Sequence, residues 1–317
     1  DAEAVLQRVS AANLATPLGK VVYTQWLNNS GGIEADLTIT RIEDENFLVV
    51  TTAATRFRDF HFLKAAIGEA RAFLTDITSG LATVGIMGPH SRQLLERVTS
   101  ADLSNEAFPF ATSQEIELGY ALVRAMRITY VGELGWELYI PTEFALHVFD
   151  EIMREGEALD LRPCGFHAMA SCRLEKGYRH WGHDIGPEDS PLEAGLGFAV
   201  ALDKDADFVG RSALETQRKR GLEKRMIQFQ IDDPEVMLYH DEPIYRDGQR
   251  MGLTTSGGWG HSVGKAIAMG YAKAEAGSLD ADWVRAGEWE IELAGRRYPA
   301  SASLRPAYDP ASKRVRA

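Results

Sequence analysis

A glycine turn between two strand-like runs constrains the fold of this chain more than any other feature of its sequence. Residues 21–27 and residues 36–40 are rich in β-branched and aromatic side chains, which predicts an antiparallel hairpin, and an Asn-Asn-Ser-Gly-Gly segment supplies its turn. In such a hairpin Asp36 and Thr38 share one face, and they lie near Tyr23 if that face lines a cavity. Taken alone, the Asp36 carboxylate could be a solvated strand end or a charge placed in a site, and exposed carboxylates are the commoner case.

The composition narrows the class of partner. The chain has 317 residues, 45% of them hydrophobic, and a net charge of -12, which argues against nucleic acid or an anionic membrane because both favour clustered Lys and Arg. No apolar run reaches the roughly 18 residues of a membrane helix, so no membrane association is expected. Cys164 and Cys172 lack the spacing of a disulfide framework or a zinc site, and we expect buried thiols in a reducing compartment. The predicted location is the cytoplasm, or the mitochondrial matrix in a eukaryote.

The chain divides into two regions by its pattern of secondary structure. Strands and helices alternate over residues 1–221, including a helix over residues 51–72, which predicts an α+β region with an antiparallel sheet. Short strands between turn signals fill residues 222–317, a pattern typical of a small β-barrel or sandwich. A helix over residues 212–220, capped by glycine, marks the boundary between the two predicted domains.

Three familiar kinds of site are disfavoured by the motifs. The glycine-rich segment 257–264 lacks the Gly-x-Gly-x-x-Gly spacing and a following helix, so a turn or bulge in the barrel is favoured over a phosphate cradle. His180, His183 and Asp184 could form a metal cluster, but their spacing past a helix end favours surface or capping roles, and no metal site is expected. The sequence has no Gly-x-Ser-x-Gly elbow, which disfavours a serine hydrolase.

What remains is a set of aromatic, hydroxyl and carboxylate side chains. Such a set suits a flat polar heterocycle, because rings stack on its faces while carboxylates accept hydrogen bonds from its N–H groups. The alternative is that the tyrosines are ordinary residues at the edge of the core, and their spacing leaves both interpretations open. The set consists of Tyr23, Asp36, Thr38, Tyr130, Glu137, Tyr139, Tyr178 and Trp181.

Four motifs, taken in order, resemble those of a known family, the tetrahydrofolate-dependent aminomethyltransferases, which include the glycine cleavage T-protein. The motifs are Tyr-Thr-x-x-Leu-Asn-x-x-Gly-Gly-x-x-x-Asp-Leu at 23–37, Tyr-x-Gly-Glu-x-Gly-x-Glu at 130–137, Arg-Leu-Glu-Lys-Gly-Tyr at 173–178 and Thr-Ser-Gly-Gly-Trp at 255–259. The resemblance implies a three-lobed fold, with two interleaved α+β lobes and a C-terminal β-barrel around a central folate cavity.

Within that family, segments 182–198 and 208–211 look most like the C-terminal folate domain of dimethylglycine and sarcosine dehydrogenases and oxidases. The first few tens of residues of the family pattern and the flavin domain of those enzymes have no counterpart here. The resemblance therefore implies that this chain alone does not oxidise an amine, and that FAD is present only with a separate flavin domain or partner subunit.

The resemblance also implies roles for individual residues. Asp36 matches the catalytic aspartate, which assists proton removal from a folate nitrogen, and Tyr130 matches a tyrosine beside that centre. Met169 stands where T-proteins carry an arginine, so the tail of the folate must be held differently. The implied folate contacts are Tyr23, Thr38, Glu137, Leu138, Tyr139 and Tyr178.

The implied activity is transfer of a one-carbon unit, aminomethyl or formaldehyde, to tetrahydrofolate, which gives 5,10-methylenetetrahydrofolate. The partners would be folate and a small methylated amine or its iminium. Two alternatives stay open, a folate-dependent demethylase giving 5-methyltetrahydrofolate and a non-catalytic folate-binding module. Tyr178 stands where regulatory relatives carry the cysteine of a Lys-Gly-Cys motif, which favours an enzyme.

Overall fold

The predicted hairpin is present and belongs to a three-stranded antiparallel sheet. A computed structural model describes residues 1–275 and 279–317 of the protein. Direct pairing of Tyr23 with Thr38 and of Gln25 with Asp36 puts these four side chains on one face of the sheet. The strands, in the order β1-β2-β3, are β1 (Val21–Leu27), β2 (Ile33–Glu43) and β3 (Asn46–Val50).

The opposite face of this sheet is apolar and is covered by α1 (Ala2–Val9) and α2 (Arg56–Ile67). Trp26, Leu37 and Ile39 are buried there. The observed helix α2 is shorter than the helix predicted over residues 51–72. A 3-10 turn precedes α2, and Gly68, with φ of 54°, follows it in a conformation that favours glycine.

A second antiparallel sheet follows, with its own apolar core around Trp136 and Leu138, both fully buried. Its strand order is β4-β7-β6-β5. Cys164, expected to be a buried thiol, is exposed because it lies in the loop before α5, and Cys172 within α5 is half-buried. The elements are β4 (Leu81–Met87), α3 (Ser91–Leu95), β5 (Ser113–Leu118), β6 (Ala121–Met126), β7 (Gly135–Pro141), α4 (Ala145–Gly156), α5 (Phe166–Glu175) and α6 (Arg211–Arg220).

A closed six-stranded barrel forms the C-terminal part, in the order β10-β11-β8-β13-β12-β9. Closure leaves no free strand edge, and Phe229, Ile244 and Ile291 fill the interior. The glycine-rich segment 257–264 forms the end of β10 and the turn into β11, which agrees with the expected turn, while a register shift between Thr254 and Ser256 lies just before it. The elements are β8 (Lys224–Ile231), β9 (Pro243–Arg246), β10 (Gln249–Gly260), β11 (Lys265–Lys273), α7 (Ala281–Ala286), β12 (Trp289–Leu293) and β13 (Arg296–Ser303).

The α+β class and the terminal barrel are confirmed by this architecture. The helix before the barrel is confirmed too, since α6 ends at Arg220 and Gly221 follows with φ of 90°. The assignment of residues 1–221 and 222–317 to separate domains stays a prediction. Among the described residues, no helix has both the length and the apolar character needed to span a bilayer.

Candidate functional site

Asp36 lies on the middle strand of the first sheet, on the face turned away from α1 and α2. Gln25, directly opposite on β1, donates a hydrogen bond from Nε2 to Asp36 Oδ1 at 2.9 Å. Burial disfavours the charged carboxylate and raises the pKa of Asp36 to about 6, while hydrogen bonding to Gln25 and Tyr23 and the charge of Arg179 limit the rise. A carboxyl group with such a pKa can both accept and release a proton near neutrality.

Tyr23 links this carboxylate to an exposed aromatic ring. Burial first, and then the charge of Asp36, raise the pKa of Tyr23 well above its ordinary value, so its hydroxyl stays protonated. The Tyr23 ring stacks on Phe198, with centroids 6.1 Å apart and an interplanar angle of 26°. Phe198 is 79% exposed, so this pair extends a stacking surface from Asp36 to the solvent. Thr38 lies beside Tyr23 on the same face.

Tyr130 and Tyr178 form a second aromatic pair. Tyr130 follows β6, Tyr178 follows α5, and their rings stack with centroids 6.1 Å apart and an interplanar angle of 17°. Tyr130 Oη donates to the backbone carbonyl of Arg179 at 2.9 Å. Burial raises the pKa of each tyrosine to about 12, so both hydroxyls are protonated at neutral pH. The charge of Asp36 contributes to the rise at Tyr130, which ties this pair electrostatically to the hairpin site.

Arg179 is a central residue that the sequence analysis missed. The Arg179 side chain donates from Nε to the carbonyl of Ala194 at 2.9 Å and from Nη1 to the carbonyl of Gly177. Its positive charge acts on both Tyr23 and Asp36, and burial lowers its own pKa. The available signal was its position directly after Tyr178, at the end of a recognised motif. Gln25 was missed as well, although the hairpin register alone places it opposite Asp36.

Glu137 and Tyr139 form a separate pair on β7. Tyr139 Oη donates to Glu137 Oε2 at 2.6 Å, and burial raises the pKa of Glu137. Leu138 points to the opposite face, into the core of the second sheet, so only its backbone can reach a ligand. Tyr139 packs against Val21 of β1, which places the pair where the two sheets meet. Among the described residues, no hydrogen bond or ion pair joins this pair to Asp36.

The third and fourth motifs meet in a buried ion pair rather than at Asp36. Arg173 donates from Nη1 to Asp184 Oδ2 at 2.5 Å and from Nη2 to Ser256 Oγ at 2.8 Å. Asp184 also accepts from Thr255 Oγ1 at 2.6 Å and from the backbone N–H of His180 at 2.9 Å. This cluster joins α5, the following turn and barrel strand β10, so its role is to position those elements.

Trp181 and Met169 lie at the edge of the arrangement. Trp181 donates from Nε1 to the carbonyl of Ile33 at 3.1 Å, and the Arg58 guanidinium lies over its ring at 4.2 Å. Trp181 therefore fixes the turn end of the hairpin and is not an open stacking surface. Met169 is half-buried on α5.

A surface depression of about 960 Å³ lies away from the predicted site. Its walls come from α1 and residues 206–210, with Asp44 and Glu45 in the turn between β2 and β3 and Phe47 at the start of β3. None of the residues predicted for folate binding lines it. The candidate site is therefore defined by the chemistry of its side chains and not by this depression.

Two buried polar atoms in the described part of the chain suggest that a polar ligand completes the site. Gln25 Oε1 and Tyr271 Oη are two of the seven side-chain polar atoms that are buried without a hydrogen-bond partner among the described residues, and each such group costs free energy unless a ligand or water satisfies it. Gln25 contacts Asp36 directly, and Tyr271 interacts electrostatically with Arg179. With two stacked aromatic pairs nearby, these residues fit a flat ligand rich in N–H groups.

Comparison with known proteins identifies the class. The chain matches the GCVT N-terminal domain over residues 1–204 and the glycine cleavage T-protein C-terminal barrel domain over residues 224–309. It therefore belongs to the glycine cleavage T-protein family, as its motifs predicted.

Particular relatives refine this placement. The chain is 39% identical over 316 residues to 4-methylaminobutanoate oxidase (formaldehyde-forming) of Paenarthrobacter nicotinovorans, covering 100% of this chain and 38% of that protein. It is 37% identical over 332 residues to mitochondrial sarcosine dehydrogenase of Homo sapiens, covering 100% of this chain and 36% of that protein. The chain thus spans less than two fifths of the length of these relatives.

A solved structure agrees with the fold. Glycine cleavage system aminomethyltransferase T from Bartonella henselae superposes with a TM-score of 0.81 over 96% of this chain and 81% of that one, at 24% sequence identity. Together with the closed barrel, this similarity confirms the expected T-protein-like fold.

Proposed function

We propose that this chain transfers a one-carbon unit to tetrahydrofolate and gives 5,10-methylenetetrahydrofolate, as the folate-binding part of an enzyme similar to dimethylglycine or sarcosine dehydrogenase. The observation that carries the proposal is the Asp36 carboxyl group, with a pKa of about 6, grouped with Tyr23 and Arg179 in a member of the T-protein family. The names of the two relatives describe oxidation of N-methylated amino acids. The donor proposed for this chain is accordingly the iminium, or the formaldehyde, derived from a small methylated amine.

Asp36 is the proton acceptor in this proposal. Tetrahydrofolate, when bound, supplies two nitrogens, each carrying a proton, that accept the carbon. Transfer from a methylene-iminium forms two carbon–nitrogen bonds, releases the amine and frees one net proton. Asp36 accepts that proton because its raised pKa makes it a stronger base than an exposed aspartate while leaving it ionised at neutral pH.

Other residues of the chain would hold the folate. The stacked pairs Tyr23–Phe198 and Tyr130–Tyr178 offer ring faces to a flat heterocycle. Glu137 offers a carboxylate for N–H groups, with Tyr139 and the backbone of Leu138 beside it on β7, and Thr38 offers a hydroxyl beside Tyr23 on the first sheet. Met169 brings no charge to the folate tail, so the tail carboxylates are held elsewhere.

Three further parts of the proposal concern the larger context. Folate binding belongs to residues 1–221, with residues 222–317 as a separate barrel domain. Oxidation of the amine belongs to a flavin domain or subunit that carries FAD. The proposed location is the cytoplasm, or the mitochondrial matrix in a eukaryote, and the human relative is named as mitochondrial.

Replacing the proton acceptor tests the proposal. In Asp36→Ala we expect transfer to fall by about 10²- to 10⁴-fold, the usual contribution of a positioned base, while folate binding, followed by quenching of tryptophan fluorescence, is largely kept. Glu43→Ala is the matched control, because Glu43 is exposed at the end of the same strand. Undiminished turnover in Asp36→Ala would refute the assignment.

Product analysis separates the remaining alternatives in the same experiment. Accumulation of 5-methyltetrahydrofolate would indicate a demethylase. Tight folate binding without transfer from any donor would indicate a binding module.

A further inference from the structure

Arg179 is a cation held by backbone carbonyls. Its guanidinium donates to two neutral carbonyls, those of Ala194 and Gly177. Within residues 1–275 and 279–317, it forms no ion pair, and Nη2 makes no hydrogen bond. Burial is the largest influence on the pKa of Arg179 and lowers it, while the charges of Asp184 and Asp36, which form no ion pair with it, oppose that change only in part. Part of the cost of desolvating this half-buried cation therefore remains. An anionic ligand would relieve this cost.

The backbone around Arg179 is shaped to keep Nη2 in place. Gly195 has φ of 71°, a conformation that favours glycine, and a Cβ atom there would lie 2.9 Å from Nη2. The close approach of Gly195 and the two carbonyl bonds hold the guanidinium fixed before any ligand arrives. A donor fixed in advance loses little conformational entropy on binding.

Tyr271 supplies a second unused donor. It lies on barrel strand β11, its side chain is only 8% exposed, and its hydroxyl has no partner among the described residues. Burial raises the pKa of Tyr271, so the hydroxyl keeps its proton and can donate a hydrogen bond. Tyr271 pairs with Met226, whose backbone N–H donates to the carbonyl of Glu193, and the next residue, Ala194, accepts from Arg179, so Tyr271 and Arg179 lie on either side of one short segment. The carboxylates of Asp189 and Glu193 are also near Tyr271, and Lys224, over the Tyr271 ring at 5.0 Å, forms ion pairs with both.

We propose that Arg179 Nη2 and Tyr271 Oη bind the carboxylate of the one-carbon donor beside Asp36, an inference that rests on the proposed transfer activity. A guanidinium and a phenol are two donors that suit the two oxygens of a carboxylate. The one-carbon donors that such a site favours are methylene-iminium ions derived from amino acids, in preference to those derived from simple alkylamines. The tail of the folate is a poorer occupant, because its carboxylates are at the far end of the molecule from the nitrogens that Asp36 would serve.

The test compares two donors that differ by one carboxylate. Transfer to tetrahydrofolate is measured from the formaldehyde adduct of glycine and from that of methylamine, after subtraction of the uncatalysed condensation. We expect kcat/KM to favour the glycine adduct by about tenfold or more, the effect of one charge-assisted hydrogen bond. In Arg179→Gln this ratio should fall to about one, and in Tyr271→Phe by roughly threefold.

Two further variants separate a subsite from a structural role. Arg179→Lys keeps the charge and should keep part of the preference. Arg297→Gln, which removes an exposed arginine near Glu290 and Glu292 on the barrel, should leave the ratio unchanged. The ratio cancels a general loss of folded protein, and circular dichroism confirms that each variant is folded.

The outcomes distinguish this inference from the proposed function. Transfer from both adducts at equal kcat/KM, or an unchanged preference in folded Arg179→Gln and Tyr271→Phe, overturns the carboxylate subsite and leaves the transfer activity standing. If no donor supports transfer, the proposed function fails, and titration of tryptophan fluorescence with sarcosine and with dimethylamine decides on the subsite. Preference for sarcosine that is lost in both variants supports it, and equal binding refutes it.

Discussion

Asp36 and Asp184 are both shielded from solvent, but they differ in how many hydrogen-bond and ion-pair partners each carboxylate has. Asp184 is fully buried, and its two oxygens accept hydrogen bonds from Arg173, Thr255 and the backbone of His180. Asp36 accepts a hydrogen bond from Gln25 and, among the described residues, forms no ion pair. Because both oxygens of Asp184 have partners, this carboxylate holds structural elements together. Asp36 has fewer partners, so burial leaves its pKa near neutrality and its carboxylate available for chemistry.

The difference follows from where each residue lies. Asp184 is enclosed by α5, its own turn and barrel strand β10, so three segments can direct donors at it. Asp36 lies on a sheet face whose neighbours are tyrosines and an amide, with Arg179 close enough to influence its charge but not to pair with it. The variants below change the partnering of one carboxylate at a time.

The largest effect is expected at the fully partnered carboxylate. Asp184→Ala leaves the Arg173 guanidinium buried without its counter-ion, which should lower the free energy of unfolding by about 3–5 kcal/mol. Urea denaturation followed by circular dichroism measures this loss. Asp232→Ala, at an exposed carboxylate paired with Lys265, is the control and should change stability little. A loss below about 1 kcal/mol in Asp184→Ala would contradict the structural role.

These two carboxylates also show how far sequence could predict the molecule. The face of Asp36 was predictable, because alternation along a strand and the Asn-Asn-Ser-Gly-Gly turn fix the register of a hairpin locally. The partners of Asp184 were not, since Thr255 lies 71 residues away and Ser256 lies 83 residues from Arg173. Contacts over such distances depend on tertiary packing, which a single sequence does not display.

The same reason explains the errors and omissions elsewhere. The helix predicted over residues 51–72 came from apolar spacing, but Phe57 is 74% exposed while Asp59 is buried and accepts from Thr55 Oγ1 at 2.6 Å. That polar contact organises the start of α2, against the apolar pattern. Tyr271 was missed because only the fold brings the barrel strands β8 and β11 beside the segment of Glu193 and Ala194 that holds Arg179.

A smaller effect is expected in the pH dependence of the transfer rate, which Asp36 should control. Asp36 must be ionised to accept a proton, so the transfer rate should rise with pH through about 6 and fall about tenfold per unit below it. Initial rates between pH 4.5 and 8 measure the inflection. In Gln25→Met the inflection should move to higher pH, because the hydrogen bond from Gln25 favours the ionised form. A rate independent of pH across this range would exclude Asp36 as the base.

The smallest expected effect is on the free energy of unfolding when Asp36 is replaced. Replacing Asp36 should stabilise the protein, whereas replacing Asp184 should destabilise it. The pKa of Asp36 rises on folding, so the protein loses stability as pH increases from the ordinary aspartate value of 3.8 through about 6. Asp36→Asn removes the ionisable group and keeps an acceptor for Gln25 Nε2. At pH 8 we expect this variant to be more stable than the wild type by about 1 kcal/mol, allowing for solvent screening.

The pH dependence of that gain identifies its cause. Near pH 4 the carboxyl group is protonated in the folded state and roughly half protonated in the unfolded state, so most of the charge penalty is absent and urea denaturation should find the variant only slightly more stable than the wild type. A gain of the same size at pH 4 and pH 8 would indicate better packing and not removal of a buried charge. A loss of stability at pH 8 would mean that Asp36, like Asp184, is a structural carboxylate, and the contrast between the two would fail.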